Sequence, residues 1–151
     1  MNAVRRARLP ALTAVALVLG AWPRATRAGG DPCLNAAAQS ELTACACDKY
    51  HEADGEMNVV YKKVIARHSG ERLFIQNLRK AQRAWVAFRD AEIAAIWPVA
   101  EGDPHPWGSV WPMCECTELQ AITQERTRQL REWLATGVEG DVCEGTRGSV
   151  E

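Results

Sequence analysis

The sequence has 151 residues, of which 47% are apolar and 25% are charged; it is long enough for one folded domain and too apolar for a wholly disordered chain. The net charge is −1, but five of the 18 basic residues precede the first acidic residue, and without them 13 basic residues stand against 19 acidic ones, a net charge of −6. An acidic body argues against nucleic acid as a partner and is compatible with a cationic one.

The chain begins with the pattern of a secretory signal peptide. A basic start is followed by a short, mostly apolar run over residues 9–22 and by small residues that offer a cleavage site before Gly29. The apolar run is shorter than the roughly 20 residues that a membrane span needs. We therefore predict that residues 1–28 are a signal peptide, cleaved between Ala21 and Ala28, and that the mature protein is periplasmic or secreted in a bacterium.

The six cysteines all lie beyond this segment, at Cys33, Cys45, Cys47, Cys114, Cys116 and Cys143. An even number of cysteines in an oxidising compartment is typical of disulfides. The two closely spaced pairs leave a metal site as the alternative, but zinc ligands are usually separated by two to four residues and here only one residue intervenes. We predict disulfides, with no metal and no other cofactor. The acidic, glycine-rich tail over residues 137–151 is then tied down by Cys143.

Three stretches of the mature chain have the periodicity of amphipathic helices, and none alternates as a half-buried strand does. They span about residues 40–67, 71–97 and 117–135. The predicted fold class is all-α: an antiparallel hairpin of two long helices and a third, C-terminal helix, stapled by disulfides. We predict that this helical domain spans residues 29–136.

One apolar face runs along the second predicted helix, at Leu78, Ala81, Trp85 and Phe88. These positions follow one another in steps of three, four and three residues, which predicts one continuous apolar face. His68, in the break before this helix, is predicted to be an exposed residue.

The segment between the second and third helices, residues 98–113, contains four prolines and two tryptophans. A loop of this length is uncommon in a small domain and is often functional. One interpretation makes it a binding element; the other makes its tryptophans a plug for the open end of the helical hairpin, and both remain open. The candidate binding residues are Trp107, Trp111, His105, Glu101 and Asp103.

Both hairpin helices also carry a polar stripe beside the apolar one, and a turn near residues 69–70 brings the two stripes together. With one arginine from the third helix, the stripes form a polar ladder of Asp54, Asn58, Tyr61, Arg79, Gln82, Trp85, Arg89 and Arg126. In this register Asn58 faces Gln82, and Asp54 lies near Arg89. We interpret the ladder as a hydrogen-bonded seam, because partly buried polar groups are normally satisfied by neighbours; a binding or acid–base site is the alternative.

The helix directions also predict how the cysteines meet. Helices that run up, down and up bring the start of the first helix and the start of the third to the same end of the domain. Residues two apart on a helix point about 200° away from each other, so Cys45 and Cys47 are not expected to share one neighbour. We predict at least one disulfide between this pair and the Cys114/Cys116 pair, and further disulfides that recruit the two outer cysteines.

The run Leu-Arg-Lys-Ala-Gln-Arg-Ala-Trp-Val-Ala-Phe-Arg-Asp-Ala-Glu over residues 78–92, with the polar positions of 54–61 and 123–130, resembles the N-terminal domain of the LprI-like lysozyme inhibitors. The resemblance covers roughly residues 33–133. It implies an exported bacterial helical domain, and the family takes its name from a mycobacterial lipoprotein that inhibits lysozyme. A cysteine usually follows the Arg-Asp-Ala-Glu run, but Ile93 stands there, so the disulfide network differs from the family pattern.

Motifs of the common enzyme classes are absent: the sequence has no nucleophile elbow, His-Glu-x-x-His, phosphate loop or dinucleotide fingerprint. We predict that the protein is not an enzyme. One remaining function is a protein inhibitor of lysozyme or a similar cationic cell-wall hydrolase, which uses the acidic surface and the loop around Trp107. The other is an envelope- or glycan-binding structural module, in which Trp107 and Trp111 stack on sugar rings.

Overall fold

The computed structural model describes residue 33 and residues 36–103, 106–137 and 142–147. Within these residues it contains no strand and three α-helices, α1 (Gln39–Arg67), α2 (Arg72–Ile96) and α3 (Trp111–Arg131), followed by short 3-10 turns at Glu132–Leu134 and Val142–Glu144. The all-α prediction is confirmed. The predicted signal peptide lies outside the described residues, and none of the described helices is both long and apolar enough to cross a membrane.

The first turns of α1 and α3 are set by local chemistry. At the start of α1 the Glu41 carboxylate accepts hydrogen bonds from the backbone N–H groups of Ala37 (2.8 Å) and Ala38 (3.2 Å), which would otherwise lack partners. The α3 helix begins at Trp111, six residues before the predicted start, and carries a proline in its first turn. Pro112 has the backbone angle that a first turn needs, so it starts the helix instead of breaking it.

The closest helix pair is α1 and α3, which run parallel. A disulfide joins Cys47 to Cys116 near the two N-termini with their Cα atoms 4.9 Å apart. Further along, the small side chains of Ala53 on α1 and of Thr123 and Thr127 on α3 are buried. Small side chains allow two helix backbones to approach closely. The predicted hairpin of α1 and α2 is present, but the packing of α1 against α3 dominates the domain.

The hydrophobic core lies in the C-terminal half of α1, where the three helices meet. Its buried members are Met57, Val60, Val64, Leu78 and Leu130. The α2 helix contributes little to it, because only Leu78 and Ile93 of its 25 residues are buried. Of the predicted apolar face, Leu78 and Trp85 pack on the core, whereas Ala81 is exposed and Phe88 is 56% exposed. Long side chains such as Gln82 add further contacts between α2 and the other helices.

His68, predicted to be exposed, is buried where all three helices meet. Its Nδ1 lies 2.7 Å from Glu71 Oε1 at the start of α2, and its Nε2 lies 3.3 Å from the carbonyl oxygen of Trp133. The imidazole also stacks on Phe74, with ring centroids 4.2 Å apart. The prediction failed because His68 follows the last turn of α1, where its side chain turns back between α2 and the end of α3.

The disulfides run from Cys33 to Cys45 and from Cys47 to Cys116. The predicted bridge between the two closely spaced pairs is confirmed, and Cys45 and Cys47 have different partners as expected. Cys114 carries a free thiol, contrary to the prediction, because it lies two positions before Cys116 and points away from α1. Cys143 lies exposed in the second 3-10 turn, and a disulfide at this residue remains a prediction.

We expect the double variant Cys47→Ser/Cys116→Ser to lose about 2–4 kcal/mol of unfolding free energy, because this disulfide closes a long loop in the unfolded chain. Urea denaturation of the oxidised protein measures the loss. Cys114→Ser is the matched control and should leave the midpoint unchanged. A double variant as stable as the control would contradict this pairing.

Candidate functional site

The loop of residues 97–110 joins α2 to α3 and presents apolar side chains to solvent. Val99 is 50% exposed, Trp107 is 46% exposed and Val110 is 44% exposed. Glu101 and Asp103 are exposed in the same loop. An apolar group bordered by acidic residues is the composition of a surface that meets another molecule.

The Trp107 indole is held by its own loop. Its Nε1 donates a hydrogen bond to the carbonyl oxygen of Pro98 at 3.2 Å, which ties the two arms of the loop together. Gly108 follows immediately with φ +73°, a left-handed conformation that favours glycine. The N–H group of the indole is thus used to position the ring, while the ring itself remains accessible.

Trp111 occupies a different position from Trp107. It is the first residue of α3, it is half-buried, and its Nε1 is buried with no hydrogen-bond partner in the described part of the chain. Trp111 is thus less accessible than Trp107, and both interpretations of the loop remain predictions. His105 lies outside the described residues.

The base of the loop is fixed to the start of α1. The Cys47–Cys116 disulfide anchors the second turn of α3, and Gln39 Nε2 lies 3.6 Å from Met113 Sδ in the first turn. A loop that leaves a stapled helix end has less conformational freedom to lose when it binds a partner. Binding residues are often carried on loops that a rigid scaffold positions in this way.

The centre of the polar ladder is Arg126, which is only 8% exposed. Its Nε donates to Gln82 Oε1 at 3.0 Å and its Nη1 to Gln129 Oε1 at 3.2 Å, and its Cζ lies 6.0 Å from the Trp85 ring centroid. Burial lowers the pKa of Arg126, because the charged form loses hydration. The guanidinium is held by side-chain amides.

The Nη2 group of Arg126 is buried and has no hydrogen-bond partner among the described residues. Within the same residues no carboxylate lies within 4.0 Å of this guanidinium. A buried cation without an anion destabilises the fold unless its remaining donors are satisfied. The side-chain oxygens of Gln82 and Gln129 therefore accept the hydrogen bonds that a carboxylate usually accepts from a buried arginine.

The outer part of the ladder is built around Arg89. Its Nη1 lies 4.0 Å from Asp54 Oδ1 and 3.4 Å from the Tyr50 hydroxyl, and its Nη2 donates to Asp90 Oδ1 at 2.7 Å. The guanidinium also lies over Trp85, with Cζ 5.5 Å from the ring centroid. The expected approach of Asp54 to Arg89 is present.

The remaining members of the ladder depart from the predicted register. Asn58 donates to the backbone oxygen and to Oδ2 of Asp54, both at 2.9 Å, so its amide is satisfied on its own helix. Gln82 turns to Arg126 and to Met57 Sδ at 3.5 Å, so Asn58 and Gln82 form these hydrogen bonds with other partners. Arg79 is exposed, whereas Tyr61 packs against the core.

Sequence reasoning missed Tyr50 and Gln129, which contact the two ladder arginines. Both carried a usable signal: Tyr50 lies four residues before Asp54, and Gln129 lies three residues after Arg126, so each shares a helix face with a recognised member. Among the described residues, no group of three or more His, Cys, Asp or Glu side chains is placed to hold a metal ion.

Comparison with known proteins gives two matches. Residues 33–130 match the protein family described as lysozyme inhibitor LprI. An uncharacterised protein of Rhizobium meliloti (strain 1021) is 32% identical over 144 residues, which cover 85% of this chain and 96% of the relative. No solved structure matches the chain. The matched family region contains all of α1, α2 and the 97–110 loop, and α3 up to Leu130.

We expect Gln82→Leu to lower the unfolding free energy by about 1.5–3 kcal/mol, because it leaves the buried guanidinium of Arg126 without one of its acceptors. Asn58→Ala is the control, since its amide bonds only to its own helix, and it should stay within about 0.5 kcal/mol of the native protein. Urea denaturation compares the two. An equal loss for both variants would show that the ladder depends on the Asn58 register after all.

Proposed function

The chain belongs to the lysozyme inhibitor LprI family, and on that premise we propose that the mature protein is a small exported binding protein that inhibits lysozyme or a similar cationic cell-wall hydrolase. The family name describes inhibitors, not enzymes. For this chain, the proposal names a cationic cell-wall hydrolase as the target and the 97–110 loop as the surface that binds it.

The observation that carries the proposal is the geometry of the 97–110 loop. Its Trp107 ring is exposed while its N–H is fixed to Pro98, and the loop leaves a helix end that is stapled to α1. Substrate clefts of glycan hydrolases are concave, and an exposed aromatic side chain on a surface loop can enter such a cleft. Tryptophans that become buried when a complex forms are among the residues that most often dominate the binding energy of a protein interface.

The negative charge of the protein also supports a cationic hydrolase as the partner. The chain beyond the predicted signal peptide carries a net charge of −6, and Glu101 and Asp103 are exposed in the same loop as Trp107. Complementary charge accelerates the encounter with a cationic protein and disfavours anionic competitors. Export fits the two disulfides, which persist in oxidising compartments such as the periplasm.

The competing function is an envelope- or glycan-binding structural module. The exposed ring of Trp107 favours it, since a flat aromatic ring can stack on a sugar face. The half-buried position of Trp111 counts against it, because the second ring of the expected two-ring surface faces the protein. A pull-down with lysozyme against one with purified cell-wall polymer separates the two, and binding that weakens strongly with salt favours the inhibitor.

We expect Trp107→Ala to weaken inhibition of lysozyme by about 30-fold, which corresponds to about 2 kcal/mol for an aromatic anchor at an interface. The melting temperature should hardly change, since the ring is exposed. The measurement is the inhibition constant in a cell-wall lysis assay, alongside a thermal melt.

The matched control is Phe88→Ala, which removes another exposed aromatic ring, on α2 outside the loop. It should leave inhibition unchanged. A large loss of stability in Trp107→Ala without a specific loss of inhibition would assign Trp107 to the core instead of the interface.

We expect Glu101→Gln to slow association with lysozyme about two- to threefold at low ionic strength, because it removes a negative charge beside the proposed contact. The difference should vanish at high salt, where exposed charges are screened. Surface plasmon resonance at two salt concentrations measures it. Glu56→Gln removes the same charge from the middle of α1 and should change the rate less; equal effects would argue against a contact at the loop.

A further inference from the structure

A concave site lies at the opposite end of the helical bundle from the 97–110 loop. It is a cavity of about 600 Å³ that opens between the start of α2 and the chain that follows α3. Apolar side chains make most of its wall, namely Leu73, Phe74, Leu78, Ala81 and Trp133. Its volume lies within the roughly 300–1,000 Å³ of small-molecule sites, which are also mostly apolar.

The floor of this cavity is firmly packed. Phe74 stacks on the buried ring of His68 and meets Trp133 edge to face, with ring centroids 6.2 Å apart. Leu78 beside them is only 4% exposed. The cavity is therefore a preformed site on the core of the domain, and a ligand that fills it needs no rearrangement of that floor.

Arg72 supplies a positive charge at the cavity wall. Among the lining residues that the structure describes, the one acid is Glu71, which lies 2.7 Å from His68. Arg72 also lines the cavity; it is exposed and forms no ion pair or side-chain hydrogen bond with the residues that the structure describes. Arg147 adds a second cation nearby, with its Cζ 5.5 Å from the Trp133 ring centroid. Its Nη1 lies 3.6 Å from Glu132 Oε2, so this charge is paired.

We infer that this cavity binds a single-chain anionic amphiphile, with an unbranched alkyl chain against the apolar wall and a carboxylate on Arg72. An apolar wall favours a ligand in proportion to its buried methylene groups. A carboxylate pairs with a guanidinium in a bidentate geometry. The inference concerns a site away from the loop, so it stands or falls separately from the proposed inhibition of lysozyme.

Isothermal titration of the oxidised mature protein with dodecanoate, below its micellar concentration, tests the inference. We expect saturable binding of one dodecanoate per chain. Each methylene removed from the alkyl chain should weaken binding by up to about fourfold, as expected for a buried CH₂ group. Vesicles of phosphatidylglycerol should not sediment the protein, since the cavity accommodates a free single chain.

Two variants test the location of the site. Ala81→Trp places a large ring in the cavity from an exposed position and should weaken dodecanoate binding at least tenfold while the protein remains folded by circular dichroism. Arg72→Gln should weaken dodecanoate about fivefold but leave the uncharged dodecyl maltoside unaffected. Arg79→Gln is the matched control, an exposed arginine on the same helix that does not line the cavity.

Several results would overturn the inference. They are the absence of saturable dodecanoate binding, unchanged binding in folded Ala81→Trp, and equal effects of Arg72→Gln and Arg79→Gln. Sedimentation with vesicles that Ala81→Trp abolishes would instead assign the cavity to a membrane surface. Loss of lysozyme inhibition in Trp107→Ala has no bearing on this result, because that residue lies at the other end of the bundle.

Discussion

The close parallel packing of α1 against α3 is the constraint on which the rest of the structure depends. The Cys47–Cys116 disulfide fixes the two N-termini, and small buried side chains such as Ala53 and Thr127 let the backbones approach along the helices. The small side chains of α1 face α3, so α2 cannot pack as closely on α1 and α3 as these two helices pack on each other. The α2 helix therefore lies farther away, and long side chains fill the space between.

The polar ladder is a consequence of that distance. A gap between helices that is too wide for alanine or valine suits arginine, glutamine and tryptophan, whose long side chains reach across it. Arg126 is consequently buried beside Trp85 and held by Gln82 and Gln129, in place of an acidic partner. Such a seam fixes one register for α2, since shifting the helix by one turn would leave the guanidinium without these acceptors.

The same arrangement gives the two ends of the bundle different characters. At one end the disulfide holds the start of α3 on α1, and the loop that precedes α3 exposes Trp107. At the other end the start of α2 meets the chain after α3 through Phe74 and Trp133, and an apolar cavity opens beside these two rings. The domain thus carries a protruding surface and a concave surface far from each other.

The sequence by itself determined the features that depend on local periodicity and on short motifs: three helices, the family, the Asp54–Arg89 approach and a disulfide between the two close cysteine pairs. Only the tertiary structure decided which helices pack closest, and that choice depends on side-chain volumes summed over two helix faces. It therefore left Phe88 exposed, buried His68, directed Gln82 to Arg126 and left Trp107 more exposed than Trp111. Helical spacing tells which residues share a face, but the neighbour that covers that face is set by residues distant in the chain.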